Sequence, residues 1–345
     1  MCLFPKPIKN KKYTRTLKNG GIIPKPKDKR LMHAYAPCGK CMVCMKRRAN
    51  EWNIRAKEEY NANPNAIFVT LTYSDKALIK LERMVHDKTN SKIENTSNEE
   101  ELKNLKRKLS GYNLENEMAN LSIKLLMDRW RKHRKDKKRP TYWLVSELGT
   151  TKTERIHLHG LIWNTTNEEI NEMWGYGHTW FGNYVNEKTI NYISKYLFKR
   201  DTKHPNYKPI VRASNNFGLN YINRYDVQNN KFNGKETDKS YRHKDGTKTA
   251  LPMYYKRKIY TEEEREELHL HFIKENIAYI GKAKINLNTK EGQELYENIL
   301  KLQRSRNNQL GYGNNKVNWE KKHFEIDKRN ELKRARHQKV YRVNS

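Results

Sequence analysis

The sequence predicts an α+β fold in which a central antiparallel sheet carries helices on one face. Three segments rich in β-branched and aromatic residues predict strands, at residues 66–75, 141–148 and 156–163. The last two are separated by "GTTKTER", whose length suits a hairpin. Charged segments with apolar residues at helical spacing lie before, between and after the strands, and they predict the helices.

The chain divides into three parts by composition. They are a basic arm with a cysteine cluster and a helix (residues 1–60), a core with a helical insertion at about 76–137 (residues 61–200), and a basic, tyrosine-rich segment followed by helices (residues 201–345). In the last part, charged segments predict helices near residues 261–280, 289–305 and 317–339. The insertion is longer than the core needs, and the sequence indicates no role for it.

Charge is the strongest compositional signal. The chain has 71 Lys and Arg residues against 39 Asp and Glu residues, and its formal net charge is +32. The excess recurs along the whole chain, which predicts a polyanionic partner. No window approaches the roughly 18 to 20 apolar residues of a membrane span, and the start "MCLFPKPIKNKK" has no long apolar run. We therefore expect a soluble, unexported protein without a membrane partner.

Three of the four cysteines are packed into the segment "CGKCMVC", at Cys38, Cys41 and Cys44. This spacing favours a thiolate cluster in a reducing compartment over a disulfide framework. A structural Zn²⁺ held by these three residues is one interpretation, with His33 or Cys2 as the fourth ligand. A cluster of free thiols at the start of a helix is the other.

Two histidines occur one residue apart in the otherwise apolar segment "IHLHGLIW". Because side chains alternate along a strand, His157 and His159 project from the same face. Glu147 ends the preceding strand, and antiparallel pairing would bring its carboxylate close to both imidazoles. Two histidines and a carboxylate suit a catalytic divalent cation with open coordination positions. Histidines satisfied as core polar groups are the alternative.

The chain repeats this His-Leu-His tripeptide at His269 and His271, in a segment with helical spacing. Neighbours two positions apart on a helix diverge by roughly 200°. We therefore do not expect a metal site there.

The segment "NEKTINYISKYLFKRD" predicts a helix with Asn186 as its N-cap. Tyr192, Lys195, Tyr196 and Lys199 share one face of this helix beside a buried apolar stripe. A phenol is a poor nucleophile unless a metal polarises its target and a cation lowers the cost of forming the phenolate. An ordinary amphipathic helix, or one that binds backbone phosphates, would show the same pattern.

Two further features could contact phosphate groups. Thr70 and Thr72 place hydroxyls on one face of the first strand, although threonines in core strands are equally common. The basic runs "RKHRKDKKR" and "ELKRARHQK" are solvated faces by default. If they follow phosphates, binding should weaken steeply as salt rises.

Together, these segments resemble a known superfamily. "IHLHG" resembles the His-hydrophobe-His motif of the HUH endonucleases, and "YISKY" resembles their two-tyrosine motif. "FVTLTY" and "VSELG" resemble the first motif and the glutamate strand of rolling-circle initiators. "CGKCMVCMKRR", "WGYGH" and "LPMYYKRKIY" are similar to segments of the replication initiation proteins of gokushoviruses, small single-stranded DNA phages of the Microviridae. The resemblance covers about residues 36–260.

The resemblance implies an HUH endonuclease core at residues 61–200. The roles that it implies are ligands of Mg²⁺ or Mn²⁺ (His157, His159 and Glu147), nucleophiles (Tyr192 and Tyr196), an accompanying cation (Lys195) and contacts to DNA (Thr70, Thr72 and Lys199).

The implied activity is the initiation of rolling-circle replication. A tyrosine attacks single-stranded or locally melted origin DNA, which leaves a 5′-phosphotyrosine link and a free 3′-hydroxyl for a polymerase. The second tyrosine cleaves the regenerated origin, and rejoining resolves the first link at termination. The implied partners are origin DNA and the host helicase and polymerase, in the cytoplasm of the bacterial host.

Other classes of protein share some of these features. A non-catalytic basic nucleic-acid-binding protein with a zinc site at the cysteines would explain the charge and composition equally well. A hydrolytic metalloenzyme with a His-x-His strand would explain the histidines, but not the tyrosine helix or the charge. A transposase or plasmid relaxase would use the same chemistry as a replication initiator.

Overall fold

The structure is a computed structural model, and it describes residues 1–136, 138–199, 201, 203–281, 283–314 and 319–342. The strands are β1 (Lys6–Lys9), β2 (His33–Ala36), β3 (Ala66–Leu71), β4 (Thr141–Leu148), β5 (Ile156–Trp163), β6 (Thr179–Phe181), β7 (Val211–Ala213), β8 (Ser240–Arg242), β9 (Lys248–Ala250), β10 (Ile277–Ile280) and β11 (Ala283–Asn286). The α-helices are α1 (Met42–Ala62), α2 (Asp75–Glu94), α3 (Glu99–Lys108), α4 (Gly111–His133), α5 (Asn167–Trp174), α6 (Glu187–Lys195), α7 (Met253–Ile259), α8 (Glu262–Glu275), α9 (Lys290–Gln309) and α10 (Trp319–Arg342). Within these ranges, no helix combines the length and apolar character needed to cross a lipid bilayer.

The chain forms two compact units. The first unit consists of residues 1–55 and 219–316, and the second unit consists of residues 56–218 and 317–345. Each unit therefore combines segments that are far apart in the sequence.

The second unit is built on a five-stranded sheet with the order β6-β3-β5-β4-β7, in which all neighbouring strands are antiparallel. The predicted α+β class and the central antiparallel sheet are confirmed, and β4 and β5 have the predicted bounds. β3 ends at Leu71, earlier than predicted, because Ser74 already caps the first turn of α2. The edge strands β6 and β7 have three residues each, too few for a periodic sequence pattern.

One face of the sheet packs on the helices of the predicted insertion. Ile156, Leu158 and Ile162 of β5 lie in one buried cluster with residues of α2 and α4, including Leu81 and Trp130. The insertion thus forms three helices, two of which supply much of the core beneath the sheet. Burial of these side chains stabilises the unit by about 25 cal/mol per Å² of apolar surface removed from water.

Helices also cover the opposite face of the sheet, so the prediction of helices on one face is wrong. The ring of Tyr196, at the end of α6, stacks on His159, which projects from β5 away from the insertion helices. Trp143 and Trp163 on this face are fully buried and contact the ring of Phe217. The near-continuous apolar runs of β4 and β5 are typical of strands that are buried on both faces.

Helix α6 begins where the sequence predicts but is shorter. Asn186 caps it through the backbone N–H of Thr189, and the Thr189 side chain accepts from the backbone of Asn186 in return. The helix ends at Lys195, and Tyr196 keeps right-handed helical dihedrals, so the two tyrosines retain their one-turn spacing. Arg200, in the predicted continuation, lies outside the described residues.

The hairpin turn between β4 and β5 is fastened by α10. Glu154 in this turn is only 2% exposed and has a φ of 43°, in the left-handed region. Its carboxylate accepts hydrogen bonds from Lys328 at 2.7 Å and from Arg329 at 3.2 Å, and it lies 2.9 Å from His204 Nε2. Arg329 also donates to Glu115 of α4 at 2.7 Å. Buried charges thus hold the turn to the C-terminal helix.

The first unit differs most from the sequence prediction. Residues 1–37 are not a simple extended arm, because β1 pairs with β2. The helix expected at residues 261–280 ends at Glu275, where Asn276 adopts a left-handed conformation, and β10 and β11 then form a hairpin. The alternating burial along "IAYI" reflects a two-residue period, and the helical prediction overlooked it. Residues 317–318 of the last predicted helix lie outside the described residues.

Candidate metal centre and tyrosine pair

The register of β4 and β5 brings the predicted ligands together. Glu147 is the direct cross-strand partner of His157, and His159 is two residues further along the same face. The Oε2 atom of Glu147 lies 3.2 Å from His157 Nε2 and 2.9 Å from His159 Nε2. The prediction that the hairpin would place this carboxylate beside both imidazoles is correct in geometry.

The other nitrogen of each imidazole faces an anchoring group. His157 Nδ1 lies 3.3 Å from the carbonyl oxygen of Arg155, which can only accept a hydrogen bond. This places the proton of the neutral ring on Nδ1 and leaves the Nε2 lone pair facing Glu147. His159 Nδ1 lies 3.0 Å from the hydroxyl of Thr70, its cross-strand partner on β3. Such outer partners orient histidines that bind metals.

The three ligand atoms fit a small divalent cation. They lie within 4.8 Å of one another, and two ligand atoms bound at right angles about 2.1 Å from an octahedral ion are about 3 Å apart. Burial disfavours the charged form of Glu147, but hydrogen bonds from His157 and His159 outweigh it and lower its pKa to about 2. The carboxylate is therefore ionised at neutral pH, as a ligand must be.

The tyrosine pair lies directly beside this centre. The ring of Tyr196 stacks on the imidazole of His159, with 4.7 Å between centroids and 4° between planes. The hydroxyl of Tyr196 donates a hydrogen bond to the hydroxyl of Tyr192. Burial, this bond and the charge of Glu147 raise the pKa of Tyr196, so both phenols are close to the ligand set and Tyr196 is neutral. Tyr192 is 47% exposed, so a large substrate can reach it.

The remaining predicted residues occupy different positions. Lys195 and Lys199 are exposed on the surface next to the tyrosines. Thr70 holds His159, whereas Thr72 donates to the backbone carbonyl of His178 at 2.8 Å and so closes a turn. Contact of these residues with DNA stays a prediction.

Two aromatic residues near the tyrosines were not predicted. Phe68 of β3 makes an edge contact with Tyr192, with 6.2 Å between centroids, and Trp180 of β6 contacts Phe68 at 5.8 Å. Phe68 is two residues from Thr70, on the same face of β3, which is the only sequence signal for it. Trp180 lies on a strand too short to be recognised from its sequence.

The second His-Leu-His tripeptide lies on α8, as predicted. His271 faces Glu267 one turn away, with 3.6 Å between Nε2 and the carboxylate. Neither histidine belongs to the groups of possible metal ligands found among the described residues.

The cysteines form a second candidate metal site, in the first unit. The Sγ atoms of Cys2, Cys38, Cys41 and Cys44 all lie within 4.8 Å of one another. The fourth member is thus Cys2, one of the two candidates, and not His33. The backbone N–H of Cys38 donates to Cys2 Sγ at 3.2 Å, and that of Cys41 donates to Cys38 Sγ at 3.4 Å. All four are free cysteines.

Comparisons with known proteins agree with the sequence resemblance. Residues 111–201, which include β4, β5 and α6, match the family of the replication-associated protein ORF2. The chain is 26% identical over 226 residues to replication-associated protein VP4 of Bdellovibrio phage phiMH2K, and the alignment covers 58% of this chain and 62% of that protein. These matches confirm the resemblance to a replication initiator of the Microviridae type. No solved structure matches the chain, so an HUH endonuclease fold stays a prediction.

Proposed function

We propose that the chain initiates viral DNA replication in the bacterial host by nicking single-stranded or locally melted origin DNA through a tyrosine. The observation that carries this proposal is the stacking of Tyr196 on His159, which places two phenols beside a His-His-Glu ligand set. A protein that only binds DNA has no need for this arrangement. The net charge of +32 supports a polyanionic substrate.

The proposed reaction is a transesterification. Mg²⁺ or Mn²⁺, when held by His157, His159 and Glu147, would polarise the scissile phosphate. The phenol oxygen of one tyrosine attacks phosphorus and releases its proton, the bond between phosphorus and the 3′ oxygen breaks, and that oxygen takes up a proton. The products are a 5′-phosphotyrosine and a free 3′-hydroxyl, which the host polymerase can extend.

The short path between the two phenols supports a division of labour. One tyrosine carries the DNA through a round of replication, and the other cleaves the regenerated origin. The new 3′-hydroxyl then attacks the first phosphotyrosine and closes the circle. Lys195 and Lys199 are exposed beside the pair, where we expect them to contact the DNA strand.

The first test uses a random library of single-stranded 30-nucleotide oligonucleotides labelled at the 3′ end. With Mn²⁺, the wild-type chain is expected to retain labelled DNA on a denaturing gel, because a 5′-phosphotyrosine link keeps the 3′ part of the strand attached. Peptide mapping should locate the link at Tyr192 or Tyr196, and sequencing of the bound DNA would give the cleavage site.

EDTA provides the matched control, because it removes the cation without changing the protein. Adduct formation should then fall to background. An adduct at any other residue, or no adduct with a folded chain that binds the library, would refute the nicking proposal and favour a binding protein.

The cysteine cluster is proposed to hold a structural Zn²⁺. Four cysteines in a tight cluster suit zinc in a closed tetrahedral site, and the chain's backbone N–H groups already donate to two of the sulfurs. The cluster also brings the N-terminus to the start of α1, so the ion would join these segments of the first unit.

We expect the purified chain to contain about one zinc per molecule, measured by mass spectrometry of the metal. Cys41→Ser should lower the zinc content and the melting temperature, because a structural zinc contributes directly to folding. The control is Glu147→Gln, which changes the other site and should leave the zinc content unaltered. Zinc-free wild-type protein with four reduced thiols and an unchanged melting temperature would disprove the site.

A further inference from the structure

An aromatic cleft opens beside the tyrosine pair. Its cavity has a volume of about 320 Å³, small but within the range of sites for small planar ligands. The residues that line it and matter here are Phe68, Trp180, Gly182, Tyr184, Lys188 and Tyr192. Because Tyr192 belongs both to this cleft and to the tyrosine pair, the cleft and the candidate catalytic centre are continuous.

Strand register fixes the position of the cleft relative to the metal ligands. Thr70 is the cross-strand partner of His159 on one side and of Trp180 on the other, so these three side chains form a row across one face of the sheet. Edge contacts continue from Trp180 to Phe68 and from Phe68 to Tyr192. A strand bound at the metal centre would therefore pass next to the cleft.

The rings around the cleft are exposed in a way that the rest of this unit does not show. Trp180 is 50% exposed and Tyr184 is 72% exposed, whereas Trp130, Trp143, Trp163 and Trp174 are buried. Gly182 lies so close to Phe68 that a Cβ there would come within 2.7 Å of its ring. The glycine thus lets the loop after β6 lie against Phe68, with Trp180 on one side of it and Tyr184 on the other.

We propose that this cleft binds one unpaired nucleobase of single-stranded DNA, next to the phosphate that the tyrosines attack, by stacking on Trp180 or Tyr184. The choice of ligand rests on the proposed nicking function. Exposed aromatic rings interleaved with cations are how proteins bind unpaired bases, and the exposed Lys188 at the rim supplies a cation for the adjacent phosphate. Bases inside a duplex are already stacked and cannot enter.

The test measures binding of the full chain, in EDTA, to a fluorescent 15-nucleotide oligothymidine and to a fluorescent duplex hairpin. Trp180→Ala and Tyr184→Ala are each expected to weaken binding of the single strand roughly tenfold, from the usual contribution of one stacked base. Binding of the hairpin should change less than twofold. Phe324→Ala, an exposed aromatic on α10 of the same unit, is the matched control and should behave as wild type.

A second reading uses a single 2-aminopurine placed within the oligothymidine, whose fluorescence should be quenched by wild type and recovered with Trp180→Ala. Equal affinity of the two cleft variants and the Phe324 variant for the single strand would overturn the proposal. So would an equal loss for hairpin and single strand, which would indicate a change in fold or charge. Because EDTA prevents cleavage, these outcomes are independent of whether the nicking proposal survives.

Discussion

Replacing both Tyr192 and Tyr196 with phenylalanine is expected to abolish the covalent protein–DNA adduct, with a loss of at least about 10³-fold in the rate of its formation. The double substitution removes both candidate nucleophiles at once. It also removes both members of one hydroxyl–hydroxyl hydrogen bond, so no buried partner is left unsatisfied. The fold and the binding of metal should therefore persist. The measurement is the amount of labelled adduct over time with Mn²⁺.

The single substitutions test the division of labour between the tyrosines. Each variant should still form some adduct through the remaining phenol, but it should fail to release closed circles from a substrate that carries two cleavage sites. Tyr225→Phe changes an exposed tyrosine of the first unit and serves as the control. Adduct from the double variant at the wild-type rate would contradict the catalytic role. Circle formation at the wild-type rate by both single variants would contradict the division of labour.

Glu154→Gln is expected to destabilise the second unit by about 3–5 kcal/mol, the usual cost of removing one member of a buried ion pair. The substitution keeps the side chain's size but removes its charge. Arg329 would then lose one of its two carboxylates, and His204 would lose the carboxylate that it faces in the core. The measurement is the unfolding free energy from urea titration at pH 7.

The same network predicts a pH dependence. Burial disfavours the charged carboxylate of Glu154, but hydrogen bonds from Lys328, His204 and Lys203 outweigh it and lower its pKa to about 2, below the ordinary value of 4.5. The network's contribution is therefore complete above about pH 4.5 and is lost as the pH falls towards 2. Wild type should lose more stability than Glu154→Gln across this window.

Glu172→Gln, on the exposed surface of α5, is the control for both measurements. If Glu154→Gln unfolds within about 1 kcal/mol of wild type at pH 7, the buried network does not stabilise the fold as its geometry indicates.

The part of the site that could be predicted from the sequence follows from local rules. The alternation of side chains along β5 puts His157 and His159 on one face, and a short hairpin connection sets Glu147 opposite them. The pairing of Tyr192 with Tyr196 follows from the pitch of a helix. Each of these relations joins residues that are close together along the chain, which is why periodicity was sufficient.

The parts that could not be predicted depend on contacts between distant segments. Cys2 joins the cysteine cluster from 36 residues before Cys38, and no spacing rule favours it over His33. Trp180 reaches the site only because β6 pairs with β3, and β6 is too short to show a pattern. The burial of both sheet faces depends on where α6 packs, which the sequence of β5 alone does not specify.

The fastening of the β4–β5 turn by α10 has a consequence for the order of events in the cell. The turn joins the strand that carries Glu147 to the strand that carries both histidines, yet Lys328 and Arg329, which neutralise Glu154, are synthesised 174 and 175 residues later. A nascent chain still on the ribosome would hold this turn with an uncompensated buried carboxylate. DNA cleavage should therefore begin only after translation has passed α10, which would keep half-made protein from cutting the viral genome.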